Sequence, residues 1–280
     1  MRKTTMAALA AASLIALAGC RQATTGGNEG AGNVAAPAAP VSGDLISGTW
    51  KTDVTSIKID AKPDEYLLKD GKFSCTTCTP PISVAADGAF HPVSRPYADH
   101  MAVKVDDDHN MTRTNQKGGK TTYQEKYSVS GDGNTLTISF NDMSGTKPVT
   151  GSFVETRAAP APVGAHAVSG SWKQNKLSNV SDEGLTITFR LDGDTLHMST
   201  PNGQSYDAKL DGTETPIKGD IGGTTASVKK LADNSYQETD KRGGKVTDVI
   251  TLTVGADGTL NAKDENKQSG SVTTWTATKQ

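Results

Sequence analysis

The chain has 280 residues, a formal net charge of −2, 34% hydrophobic residues and only 5% aromatic ones. That mildly acidic balance excludes the basic footprint on which nucleic-acid affinity rests, and the thin apolar content excludes one large core in favour of small ones. Abundant Gly, Thr, Ser and Asp, with Val as a frequent apolar residue, are the palette of short strands and tight turns.

The chain opens with Arg2 and Lys3, then an apolar run from Met6 to Ala18 broken only by Ser13. The run is shorter than the about 20 residues a membrane-spanning helix needs. Charge, a short apolar run and small residues, in that order, mark an export signal rather than fold. Leu17-Ala18-Gly19-Cys20 resembles the lipobox of bacterial lipoproteins. The resemblance implies that residues 1–19 are removed as a signal peptide, that the Cys20 thiol receives a diacylglyceryl group, and that its new amine is acylated. Each buried CH₂ adds roughly 0.8 kcal/mol, so two or three chains hold firmly where one does not. The expected partner is thus a membrane, reached through the lipid on Cys20 and not spanned. Arg21 at the second mature position resembles outer-membrane sorting in enteric bacteria. The expected place is the bacterial cell envelope, on the outer membrane facing the periplasm, with surface exposure left open. Loss of Arg2 and Lys3 takes the net charge from −2 to −4.

Residues 20–44 are small, Pro- and Gly-containing and aperiodic, which predicts a flexible tether. A second such stretch at 158–168, AAPAPVGAHAV, predicts a linker. It separates two similar segments, read as β-domain 1 (45–157) and β-domain 2 (169–280). SGTWK at Ser47 matches SGSWK at Ser169, an offset of 122, and Asp70-Gly71 matches Asp192-Gly193 at the same offset. Asp87-Gly88 matches Asp211-Gly212 at 124, and Asp132-Gly133 matches Asp257-Gly258 at 125. The ends SFVETR and TWTATK return to 122. Ordered matches with small drifts indicate a duplication with loop indels.

Each copy reads as all-β. Thr135–Phe140 and Leu185–Phe189 alternate polar and apolar residues, as Val249–Val254 does in part, the period of half-buried strands. Asp-Gly pairs between such runs suit two-residue hairpins. The prediction is two duplicated small antiparallel meander β-barrels or sandwiches, because closure removes exposed sheet edges. Gly48-Thr49-Trp50 and Gly170-Ser171-Trp172 resemble the Gly-x-Trp that starts the first strand of lipocalin-like barrels, and the mature chain resembles bacterial exported proteins with tandem lipocalin-like domains, a group without an assigned activity. In lipocalin-like barrels the Trp packs at the closed end, often beneath a basic side chain of the last strand. The resemblance therefore implies two barrel-closing cation–π pairs, Trp50 with Arg157 and Trp172 with Lys279.

Candidate chemistry is sparse. Gly118-Gly119-Lys120-Thr121 lacks the first glycine of a phosphate loop, since position 114 is Thr, and a strand-like run follows it, so it reads as a hairpin turn. No Gly-x-Ser-x-Gly elbow is present. His91, His100, His109, His166 and His197 are scattered, and Asp106-Asp107-Asp108 lacks the spacing of a calcium loop. The pair Cys75 and Cys78 has three readings. Export favours a local disulfide; zinc would need two more ligands, with His91 and His100 on offer; a redox dithiol would want a helix start. The copy-two positions aligned with the pair are His197 and Thr200. No catalytic residue, metal site or cofactor is expected, and the chain is not expected to be an enzyme. The leading expectation is a non-enzymatic binding module for a small ligand, an apolar one included, or for an envelope component. The alternative is a structural or protein-interaction lipoprotein with filled barrels.

Overall fold

The structure is a computed structural model that describes residues 44–280. The export signal, Cys20 and the tether up to residue 43 lie outside the described residues. In chain order the strands are β1 (Gly48–Thr52), β2 (Lys58–Asp60), β3 (Asp64–Lys69), β4 (Lys72–Cys75), β5 (Ile82–Ala85), β6 (Asp87–Arg95), β7 (Ala98–Val105), β8 (Asn110–Lys117), β9 (Lys120–Val129), β10 (Thr135–Asp142), β11 (Val149–Ala159) and β12 (Gly170–Ser178). A one-turn helix, α1 (Asp182–Leu185), leads to β13 (Thr186–Asp192), β14 (Thr195–Ser199), β15 (Ser205–Lys209), β16 (Thr215–Pro216), β17 (Thr224–Ala232), β18 (Ser235–Arg242), β19 (Lys245–Val254), β20 (Leu260–Asn266) and β21 (Val272–Lys279).

These strands form two separate, nearly closed antiparallel barrels. Barrel 1 has the order β5-β4-β3-β12-β11-β10-β9-β8-β7-β6. Barrel 2 has the order β15-β14-β13-β1-β21-β20-β19-β18-β17-β16, with β2 added on β21. Its two edges meet where the backbones of Ser205 and Lys218 exchange hydrogen bonds of 3.1 and 2.8 Å. Glycines with positive φ make the tight turns: Gly118 and Gly119 turn β8 into β9, so the GGKT stretch is a hairpin tip. Asp106–Asp108 likewise form the turn between β7 and β8, tied by Lys104, Thr112 and Asn110.

The two barrels exchange their Gly-x-Trp strands. β1, from the first sequence copy, lies between β13 and β21 of the second. β12, from the second copy, lies between β3 and β11 of the first. This corrects the expected domain boundaries. Barrel 1 is the continuous stretch 64–178, nested within barrel 2, which is built from residues 44–60 and 186–280. The expected linker 158–168 is the loop of the β11–β12 hairpin. It is docked on barrel 1: Val168 is fully buried in that core, and the His166 N–H donates to the Leu68 carbonyl at 3.0 Å. The exchange trades one local pairing for another: β11 meets β12 across one short loop, while β3 gives up its sequence neighbour β1 and pairs with β12 about a hundred residues away.

The register also corrects one alignment. Lys69 pairs with Lys72 around Asp70-Gly71, but Asp192 pairs with Thr195 around Gly193-Asp194. The Asp-Gly pairs thus occupy different turn positions, and the counterpart of Cys75 is the inward Met198, not His197. A one-residue slip turns every side chain to the other face.

Because barrel 1 is continuous, a fragment of residues 62–181 is expected to unfold cooperatively on heating and to give a dispersed amide spectrum. A fragment of residues 169–280, which matches the sequence repeat but lacks β1, is expected to show neither. Circular dichroism melts and NMR of the two fragments check this.

Candidate functional site

Three features carry the chemistry: the Gly-x-Trp clasps, the charged barrel interiors, and the seam between the barrels.

In each clasp the indole is fully buried and its N–H donates to the carbonyl four residues earlier, Trp50 to Ile46 and Trp172 to Val168, both at 2.8 Å. Trp50 lies directly opposite Lys279 on β21, whose ammonium sits 5.0 Å from the ring centroid. Trp172 lies opposite Arg157 on β11, whose guanidinium sits 4.0 Å from the ring. The expected pairs, Trp50 with Arg157 and Trp172 with Lys279, are therefore the reverse of those observed, and the exchanged strands are the reason. Arg157 also donates to the carbonyls of Gly133, Ser169 and Ala167. The glycines have a steric purpose. Gly48 (φ +141°) and Gly170 (φ +118°) lie under the basic side chains, and an added Cβ would meet Lys279 Cε at 2.8 Å or Arg157 Nη1 at 2.7 Å. Ser47 and Ser169 complete the clasps by accepting from the backbone N–H of Leu191 (2.7 Å) and Leu68 (2.9 Å).

Inside barrel 1, Arg113 on β8 and Glu125 on β9 face each other and form an ion pair, at 2% and 1% exposure. The Tyr127 hydroxyl donates to the same carboxylate oxygen at 2.6 Å. Burial is the largest single influence and works against the Arg113 charge, but Glu125 together with Tyr127, Tyr66 and Tyr123 outweighs it and holds the guanidinium above its ordinary value. Arg95, at the end of β6, is pulled down to about 10 by burial and by neighbouring Arg113. Its Nη1 donates to the carbonyls of Pro80 (2.6 Å) and Pro81 (3.3 Å). Arg95 Nε and Nη2, Arg113 Nε, Glu125 Oε1 and the side-chain amide of Asn115 are buried without a hydrogen-bond partner among the described residues.

That hook on Pro80 and Pro81 holds the β4–β5 connection over the barrel. There Cys75 and Cys78 form a disulfide, with Cα atoms 5.4 Å apart. Both cysteines belong to the barrel 1 core. The histidines offered as zinc ligands have other partners, His91 with Asp87 at 2.9 Å and His100 with Asp99 at 2.8 Å. His197 pairs with Asp207 at 2.7 Å. Barrel 2 closes the equivalent turn without sulfur, the Thr200 hydroxyl donating to Asn202 and accepting from the Gln204 N–H at 3.2 Å.

Barrel 2 carries acidic side chains at the equivalent inward positions. The equivalent of Arg113 is Glu238, and that of Asn115 is Asp240, both at 2% exposure on β18. Asp248, across on β19, is also buried and accepts from Asn266 at 2.6 Å. Burial raises the Glu238 carboxyl above its ordinary value. Hydrogen bonds from Tyr206 (2.7 Å) and with Asp240 work against the rise, and the Asp248 charge adds to it. These inward charges were not anticipated from sequence. The signal was there, in the alternation of Met111-x-Arg113-x-Asn115 and Tyr236-x-Glu238-x-Asp240, which places charged side chains on the same face as the apolar ones.

The seam is reciprocal. Lys117, at the tip of β8, donates to the Ile221 carbonyl of barrel 2. Its counterpart Arg242, at the tip of β18, donates to the Tyr97 hydroxyl of barrel 1 and lies 4.7 Å over that ring. Burial pushes the Tyr97 hydroxyl up, and nearby Asp220 adds to the shift while Arg242 opposes it. The Thr146 N–H donates to the Asn202 carbonyl at 2.7 Å, and Ile57 packs on both cores.

Comparison with models of known protein families gives no match, and comparison with curated proteins gives none either.

Two outcomes follow from this geometry. Trp50→Ala is expected to cost about 3–5 kcal/mol and to loosen barrel 2, not barrel 1; Trp172→Ala does the reverse, with amide hydrogen exchange resolving the two. For Glu238, the fold binds a proton that the unfolded chain releases, so stability from this group is full below its ordinary value of 4.5 and is lost as pH rises through the elevated folded one. Glu238→Gln is expected to remove that fall, which a comparison of melting temperatures at pH 4 and pH 8 measures.

Proposed function

We propose that the chain is a non-enzymatic lipoprotein of the bacterial cell envelope, held to the outer membrane by lipid on Cys20, and that it acts as a structural or protein-interaction module instead of a carrier of small molecules. The observation that carries this reading is the filling of the barrels. Inward side chains that would line a ligand cavity are buried to 2% exposure or less: Phe73, Met101, Met111 and Tyr127 in barrel 1, and Phe189, Leu196, Tyr206 and Tyr236 in barrel 2. They leave almost no surface open to solvent, whereas a carrier keeps a cleft of several hundred Å³. The exterior is what this protein offers: two barrels, clasped and seamed together.

One observation favours the carrier as a second reading. The unpartnered donors of Arg95, Arg113 and Asn115 would suit a small polar anion entering barrel 1, not an apolar ligand. Native mass spectrometry of protein extracted from its own membrane separates the two. The expected mass is the polypeptide from residue 20 with its acyl chains alone. A stoichiometric anionic ligand, lost in Arg95→Gln, would overturn the interaction reading.

A further inference from the structure

The place of β1 between β13 and β21 is a slot that an N-terminal segment fills from outside its own sequence copy. We propose that this slot is a strand-acceptor site for a second copy of this chain, with residues 44–60 of one molecule closing barrel 2 of another.

Four observations carry the proposal. The donor segment is a unit: β1 pairs with β13 and β21, β2 pairs with β21, and the backbone N–H of Asp53 and the hydroxyl of Ser56 bond Thr276 at 2.9 and 2.8 Å. It is joined to the rest only through Ala61-Lys62-Pro63, since β3 already belongs to barrel 1. Pro63 disfavours a helical bend at Lys62 and keeps that hinge extended. The sheet of barrel 1 is complete without the donor, which touches that core only through the half-buried Val54 and Ile57, so the segment can leave with the barrel 1 sheet intact. Finally, the recognition chemistry is duplicated: serine at 47 and 169, glycine at 48 and 170, tryptophan at 50 and 172, and a basic residue at 279 and 157. The chain already performs this exchange between its two copies, and the same contacts form whichever molecule supplies the strand. Exchange of an identical element is a low-cost route to a dimer, and main-chain pairing with alternate anchors is how added strands are recognised. The inference names the partner for the interaction reading but stands on topology, independent of the lipid anchor.

Thr49 and Thr188 face each other across β1 and β13, their hydroxyl oxygens 2.9 Å apart. In the full mature chain with Cys20→Ser, Thr49→Cys is placed in one preparation and Thr188→Cys in another. The two are unfolded together and refolded under mild oxidation. The expected result is a covalent dimer, its bond mapped by mass spectrometry to positions 49 and 188. The yield should rise with concentration, and the dimer should be absent when the second partner is Ser139→Cys on the exposed face of barrel 1. The chain with unaltered Thr49 and Thr188, refolded at rising concentration, should give a dimer by size exclusion that the intrachain-locked Thr49→Cys/Thr188→Cys double variant does not. A monomer at every concentration, or equal crosslinking to position 139, would overturn the proposal. A failed ligand search leaves this result untouched, so the two readings fall separately.

Discussion

Each barrel is held shut by one crossing: a basic side chain of the strand beside the Gly-x-Trp strand lies across its glycine and over its indole. Without the glycine the cation could not come down to the ring, because a Cβ would meet it at less than 3 Å. With the cation removed, the buried indole would lose its lid and the strand one of its cross-strand anchors. Burying about 200 Å² of indole is worth roughly 5 kcal/mol at the usual coefficient, and a cation over the ring adds about 0.5–2. The clasp therefore outweighs any single surface ion pair, which contributes roughly 0–1 kcal/mol. Since each clasp joins strands from different sequence copies, the two halves of the chain cannot fold as independent beads.

The interiors show what a duplicated fold tolerates once its closure is secured. Position 113 is arginine and position 238 is glutamate on the same inward site of the same strand. The first needs Glu125 and Tyr127 around it; the counterparts of those two are Ile250 and Leu252, apolar because the second barrel holds its charge differently. There the hydroxyl of Tyr206, a hydrogen bond with Asp240 and an elevated carboxyl do the work that a counter-ion does in barrel 1. A buried ion pair is seldom a net source of stability against an apolar replacement. Opposite solutions at one site show that the barrel does not depend on either, and that the shared requirement is only that the charge be held.

Much of this was legible in the residues. The period-2 strands, the Asp-Gly and Gly-Gly turns and the duplicated frame are local signals, and they describe the two all-β barrels that are present. The disulfide between Cys75 and Cys78 was also the preferred reading, since residues three apart on a bend need no distant information. The partner of each tryptophan was not legible, and for a physical reason: SGTWK and SGSWK, and Arg157 and Lys279, offer the same chemistry to either closure, so only the path of the chain decides. The slip between Cys75 and His197 has a similar origin, because an Asp-Gly pair marks a turn without saying which turn position it fills. The inward charges escaped because alternation reports which face a residue takes and not what surrounds it.

The exchanged arrangement redistributes the cost of closure. If each copy kept its own first strand, both barrels would close by pairing their two ends across about a hundred residues. As built, barrel 1 gains the short β11–β12 hairpin but still pairs β12 with β3, Gly170 opposite Tyr66, across about a hundred residues. Barrel 2 takes the larger burden, pairing Trp50 with Lys279 at the far ends of the described chain. Non-local pairing is slow, and β1 needs both β13 and β21 before it can dock, so barrel 1, continuous in sequence, is expected to form first and to offer its neighbour a finished wall at the seam. On that order the donor strand is expected to stay unpaired until β13 and β21 are both in place. That interval is set by topology, and it is when a β1 from another molecule competes on equal chemical terms.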